Sequence, residues 1–221
     1  MTLTELKKLI SSGEGQYIEF KKKADHPDKI VRELVAFANS GGGRLFLGID
    51  DNGTISGLPY PDEDVYVMES ALSQYVKPEI SINLQRVKVT VDEEVLVYSV
   101  PSGQTKPFYW LADKQKQTFR AYVRHADQSL QASKEMFQLL RMDLGKEVHL
   151  SFQLNPLEKK LLAYLDEHKT ITLPDLARMA KLPYWLASKK LVYWVKMGVL
   201  LIQPAEGLDI YYLSPSFSHL E

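Results

Sequence analysis

The chain has 221 residues, 45% of them hydrophobic and 25% charged, with a formal net charge of −1. That suits one large globular domain or two small ones and leaves no overall basic field for nucleic acid, so any such site is a local patch. With no cysteine, disulfides, zinc–thiolate sites and thiol catalysis are excluded.

The charge is even along the chain, with 19 basic and 21 acidic residues over 1–150 and 8 and 7 over 151–221. The first residues carry charges where a signal peptide needs an apolar core, and no apolar run approaches the ~20 residues that span a bilayer. The expected location is the cytoplasm.

Apolar residues at 3, 6, 9 and 10 predict a first helix. A strand follows over 16–22, with Ile18 and Phe20 on one face and Tyr17, Glu19, Lys21 and Lys23 on the other. The pattern then predicts a helix over 30–39, a buried strand over 44–50 and a hairpin partner over 54–58 across the Asp51, Asn52, Gly53 turn. A helix over 64–76 and strands over 80–91, 95–100 and 118–125 come next. Ser133 opens a helix to about 144, with Glu135 in its first turn, where a carboxylate favours the helix dipole.

Residues 146–155 read as a linker. Beyond it, Leu157, Leu161, Leu162 and Leu165 make one helix face. Thr170 and Ile171 are extended, and Thr172 with Asp175 predicts a capped second helix. A third helix runs from near Pro183 to a glycine cap at Gly198. Two short apolar runs, 200–202 and 210–213, flank a turn at Glu206 and Gly207. Three helices and a hairpin over 156–221 resemble a winged helix-turn-helix domain. The fold class is α+β, a mixed-sheet domain over 1–145 followed by this smaller one.

Several ordered segments resemble the Schlafen AlbA-type domain. They are Glu14 with Glu19, Phe20 and Lys21; then Ala36, Phe37, Ala38, Asn39 and Gly41 to Gly43; then Gly48, Ile49, Asp50, Asp51 and Gly53. Later landmarks are Val100, Pro101 and Ser102, then Lys106 and Pro107, then Tyr122, Val123 and Arg124. The resemblance implies DNA binding and a bacterial regulator. Eukaryotic Schlafen proteins carry a Cys/His zinc site in related domains, and this cysteine-free chain departs from them. Schlafen proteins carry two such lobes in one chain, so the resemblance implies a homodimer here.

Some Schlafen proteins are RNA endonucleases, and their catalytic acids would fall on Glu14, Glu19 and Asp50, with Asp51 as rival for the third place. Carboxylates of this kind hold Mg²⁺ or Mn²⁺, and Lys21 could stabilise charge on a scissile phosphate. The alternative is that these acids cap turns and pair with lysines. Carboxylates converging to coordination distance would mark a nuclease; carboxylates each paired to lysine would mark a binder.

The three glycines could form an anion nest or simply a helix cap followed by tight entry into a strand. No Walker-type lysine follows them. Lys21, Lys23, Arg120 and Arg124 are candidate phosphate contacts, with Arg120, Tyr122 and Arg124 alternating onto one strand face. In the third C-terminal helix, Ser188 and Lys189 are candidate groove readers and Lys196 a further candidate nucleic-acid contact. Glu206 and Asp209 at the expected wing tip would repel phosphate, and Tyr184, Trp185, Tyr193 and Trp194 suit a protein interface. The five histidines, His26, His125, His149, His168 and His219, show no metal spacing.

The favoured reading is a dimeric DNA-binding transcriptional regulator without a cofactor, DNA being favoured over RNA. The rivals are a Mg²⁺- or Mn²⁺-dependent nuclease and a protein-interaction adaptor.

Overall fold

The computed structural model describes residues 1–142 and 155–217. The chain divides into two compact units, Met1–Gln131 and Ala132–Glu221.

In the first unit, α1 (Leu3–Ile10) starts on a capping box. The Glu5 amide donates to Thr2 Oγ1 at 3.2 Å and the Thr2 amide donates to Glu5 Oε2 at 2.7 Å. Next come β1 (Ile18–Lys21), α2 (Pro27–Asn39) and β2 (Gly43–Leu47), a crossover whose two strands pair in parallel. α2 begins ahead of the expected residue 30, because Pro27 is compatible with the first helical turn. Pro61 does the same for α3 (Pro61–Tyr75), which was expected to start at 64.

Then follow β3 (Val76–Lys77), β4 (Asn83–Lys88) and β5 (Glu94–Val100). β5 runs antiparallel to both β2 and β4, which completes a mixed sheet of order β1-β2-β5-β4. Its two faces are both covered. Leu45, Leu47, Leu96 and Tyr98 pack with α2 and α3. Phe20, Phe46, Val95 and Val97 pack with Leu6 and Ile10 of α1.

The remaining strands are β6 (Tyr109–Asp113), β7 (Thr118–Arg120), β8 (Tyr122–His125) and β9 (Gln128–Gln131). The strand expected over 118–125 is broken at Ala121. Its first part joins a β3-β6-β7 sheet and its second part pairs with β9. The partner expected over 54–58 is no strand; single bridges join Ile49 to Ile55 and Leu58 to Glu94.

The second unit holds α4 (Lys134–Arg141), α5 (Pro156–His168), β10 (Thr170–Ile171), α6 (Leu173–Ala180), α7 (Tyr184–Lys196), β11 (Leu200–Gln203) and β12 (Ile210–Leu213). Three antiparallel strands lie in the order β10-β12-β11. Leu161, Leu165, Ile171, Leu176, Leu191, Trp194 and Tyr211 form the core. Asp175 completes the cap of α6, accepting from the Thr172 amide at 3.2 Å. The first unit ends ahead of the domain end expected at 145, because α4 packs with α7. Most of the expected linker, and Leu144, lie outside the described residues.

One buried amide ties the first unit together. Asn39, at the end of α2, donates to the Phe108 carbonyl at 2.8 Å and the Tyr122 carbonyl at 2.9 Å, and accepts from the Phe108 amide at 2.8 Å. Asn39→Ala strands all three backbone groups, and buried unsatisfied groups are costly. The expected loss is about 3 kcal/mol of folding free energy, read as a lower urea midpoint for the first unit.

Candidate functional site

Arg124 on β8 is the most connected side chain of the first unit. Its Nη2 donates to Glu19 Oε2 at 2.6 Å and to the Gly15 and Ile18 carbonyls at 3.0 and 3.3 Å. Its Nη1 reaches Glu33 Oε2 at 3.2 Å and Ser129 Oγ at 3.4 Å, and its Nε donates to the Gly15 carbonyl at 3.2 Å. The Phe37 ring lies 5.1 Å from the guanidinium. Its side chain is 1% exposed. Sequence alternation predicted a phosphate contact; the structure instead uses this arginine to join β1, α2, β8 and β9. Arg120, on the other side of the Ala121 break, is exposed and donates to Gln131 Oε1 at 2.8 Å. The two arginines therefore do not share a strand.

The acidic residues of the motif have separate employments. Glu14 Oε1 accepts from the Phe20 amide at 2.8 Å. Glu19 is buried between Arg124 and Lys21. Burial pushes its carboxyl upward against the opposing pull of Lys21 and Arg124. Asp50 pairs with Lys22 at 3.3 Å, and Asp51 is exposed in the turn. Among the described residues no three His, Cys, Asp or Glu side chains are grouped so as to hold a metal ion. Glu14, Glu19 and Asp50 are thus not gathered into one such group. Lys21 partners Glu19, and Lys23 partners Asp25 at 3.1 Å. Glu19 and Asp50 are therefore paired to lysines, whereas Glu14 is held by a main-chain amide.

The glycines serve packing. Gly42 has φ +82°, and a Cβ there would lie 2.6 Å from the Val100 carbonyl oxygen. A Cβ on Gly43 would lie 2.3 Å from the Phe37 ring. The turn closes α2 with the Gly42 amide donating to the Phe37 carbonyl at 3.0 Å. Ser40 beside it accepts from the Arg124 amide at 2.8 Å through Oγ, and from Lys106 Nζ at 2.6 Å through its carbonyl. Burial lowers the pKa of Lys106.

In the second unit, Ser188 is buried and donates to Glu135 Oε1 of α4, so it does not face a groove. Lys189 is exposed, with Nζ 5.2 Å from the Trp185 ring centroid, and Lys196 is half-buried. Tyr184 and Trp185 are also exposed, whereas Trp194 is core. Asp209 turns inward and accepts from Ser133 Oγ. It is therefore not the exposed wing-tip charge the sequence pattern indicated, and burial pushes its carboxyl upward. His168 stacks on Tyr164 with centroids 4.1 Å apart, His26 is the N-cap residue of α2 and His125 ends β8. His149 and His219 lie outside the described residues. The sequence reading gave no role to Lys181, Arg44 or the exposed ring of Tyr17; the signals for them are long-range register and packing rather than local pattern.

Replacing Arg124 by Ala takes the buried cation from Glu19 and Glu33 and leaves them only the more exposed Lys21 and Arg32. The expected cost is about 4 kcal/mol, seen in chemical denaturation; a mere phosphate contact would leave stability unchanged. Asp209 supplies a pH test. Its folded-state pKa is raised above the ordinary value of 3.8. The stability it contributes is complete below that value and is lost as pH rises through the elevated one. The melting temperature of the wild type relative to Asp209→Asn should therefore fall as pH rises from about 3 towards 7.

The sequence profile of the family Schlafen, AlbA_2 matches residues 14–133. No curated protein matches the chain. Among solved structures, the N-terminal domain of an ATP-dependent DNA helicase RecG-related protein from Nitrosomonas europaea is 24% identical, with a TM-score of 0.42 over 69% of this chain and 99% of that one. A crystal structure from Corynebacterium diphtheriae is 21% identical, with a TM-score of 0.44 over 93% of this chain and 39% of that one. This chain thus spans well under half of that second protein. No described helix is long and apolar enough to cross a membrane. With over half its length inside the profile match, the chain belongs to the Schlafen AlbA_2 family.

Proposed function

We propose that the protein is a DNA-binding transcriptional regulator acting as a homodimer, with the second unit a winged-helix module. The observation carrying this reading is the surface at the start of α7. Between Asp175 and Glu206 the chain has five basic residues and no acidic one. From that stretch Lys181, Tyr184, Trp185 and Lys189 are exposed. A helix N-terminus with nearby lysines favours phosphate, and an aromatic ring beside it adds contact area.

The order α5, β10, α6, α7, β11, β12 supports the winged-helix reading, with α6 and α7 as the helix pair and β11 and β12 as the wing. The inward turn of Asp209 removes one negative charge from that surface. With Ser188 buried, Lys189 and Trp185 become the contacts nearest a groove. Dimerisation would pair two modest patches and raise avidity without new contacts.

Labelled duplex DNA should bind the full chain with an affinity that falls steeply with salt. Lys189→Ala is expected to weaken it and to lower the salt slope by about 1, measured by fluorescence anisotropy over a salt series. Sedimentation of the free protein checks the dimer. An adaptor using the same aromatic surface for protein partners would show no salt-dependent binding to any duplex.

A further inference from the structure

We propose that the end of the four-stranded sheet in the first unit binds single-stranded nucleic acid, with Arg44 on a phosphate and the Tyr17 ring on a base. Ile18 pairs with Arg44, Arg44 with Ser99, and Ser99 with Asn83. These four residues cross the whole sheet in one line, and directly opposed residues share a face. The next line on that face is Phe20, Phe46, Val97 and Gln85. Phe20, Phe46 and Val97 pack with Leu6 and Ile10 of α1. The outer row extends past this core, with Arg44 and Asn83 exposed and Ile18 and Ser99 half-buried.

An open cleft of about 710 Å³ runs along this row, with Tyr17, the glycine turn and Ser81 also in its walls, and none of its lining residues is acidic. Among the described residues the Arg44 side chain has no ion pair or hydrogen bond. A guanidinium held in a carboxylate-free cleft is complementary to an anion, and its fork geometry suits phosphate. Tyr17 is 59% exposed. It packs against the bare backbone of Gly41, where a Cβ would lie 3.2 Å from Tyr17 Cε1. Main chain thus lies beside the ring.

The occupant follows from the shape. A second cleft of about 620 Å³, reaching Leu9 and Gln85, shares Ile18 and Arg44 with the first. Its one acidic residue, Glu5, is engaged in the cap of α1. Two clefts meeting at one arginine make a path, which fits a strand passing through better than a free nucleotide. A base must be unstacked to lie on Tyr17, which selects single strands over duplex.

This inference rests on the nucleic-acid reading above but uses a different surface, so the two can fail separately. The test is fluorescence anisotropy of the full chain with labelled oligothymidine and with a duplex of equal length, thermal melts confirming each variant's fold. Arg44→Ala should weaken oligothymidine binding about 10-fold and Tyr17→Ala about 5- to 10-fold, stacking on an aromatic being worth that order. Tyr17→Phe should keep the affinity, and Arg44→Glu should abolish binding. The duplex affinity should be unchanged throughout. Wild-type oligothymidine affinity in Arg44→Glu and Tyr17→Ala would overturn the proposal. A wild type that binds duplex but no single strand would overturn it while leaving the regulator reading intact. A wild type that binds neither would end both.

Discussion

The first unit depends on one buried cation. A guanidinium withdrawn from water carries a desolvation cost of several kcal/mol unless its protons are all satisfied. Arg124 meets that condition with two carboxylates, two main-chain carbonyls and a serine hydroxyl. Its importance comes from where it sits. β8 and β9 pair with each other and belong to neither larger sheet, and an isolated two-stranded hairpin is marginal in water. Arg124 and the Asn39 amide attach that hairpin to β1 and α2. These polar contacts act together with the burial of Tyr122, Val123 and Leu130 in holding the hairpin in place.

This casts the family signature in a particular light. Glu14 caps the turn into β1, Glu19 and Arg124 form the buried pair, and Asn39 with Ser40 closes the end of α2. Gly42 and Gly43 permit backbone and ring approaches that a side chain would block. Lys106 holds the Ser40 carbonyl. Most of the residues carrying the resemblance are thus engaged in the fold, and the exposed Tyr17 and Arg44 stand between them. A signature built this way identifies architecture more firmly than chemistry.

The local elements were largely legible in the sequence, because periodicity, caps and glycine stops act over a few residues. α1, β1, the capping box at Thr172 and Asp175, and the run from α5 to β12 all follow from such signals. Strands β6 and β9 were not foreseen, and three further features were not legible. The break at Ala121 is set by which distant strands claim each half, β6 on one side and β9 on the other. Alternation placed Arg124 on a face but could not say that α2 covers that face. Ser188 and Asp209 were read as surface groups because nothing local announces that α4 supplies their partners, Glu135 and Ser133. The site was therefore legible as a set of residues but not as a set of contacts.

The placement of α4 bears on how the two halves can be separated or exchanged. The match to the family profile ends at residue 133, one residue before this helix begins. A fragment ending at 145 would retain α4 while losing α7 against which it packs, leaving Leu139 and Glu135 without their surroundings. A fragment beginning at 156 would expose the face of α7 that carries Ser188. The natural seam for recombination, in the laboratory or in evolution, falls at Gln131 and Ala132. Any module grafted after that point must arrive with its own first helix.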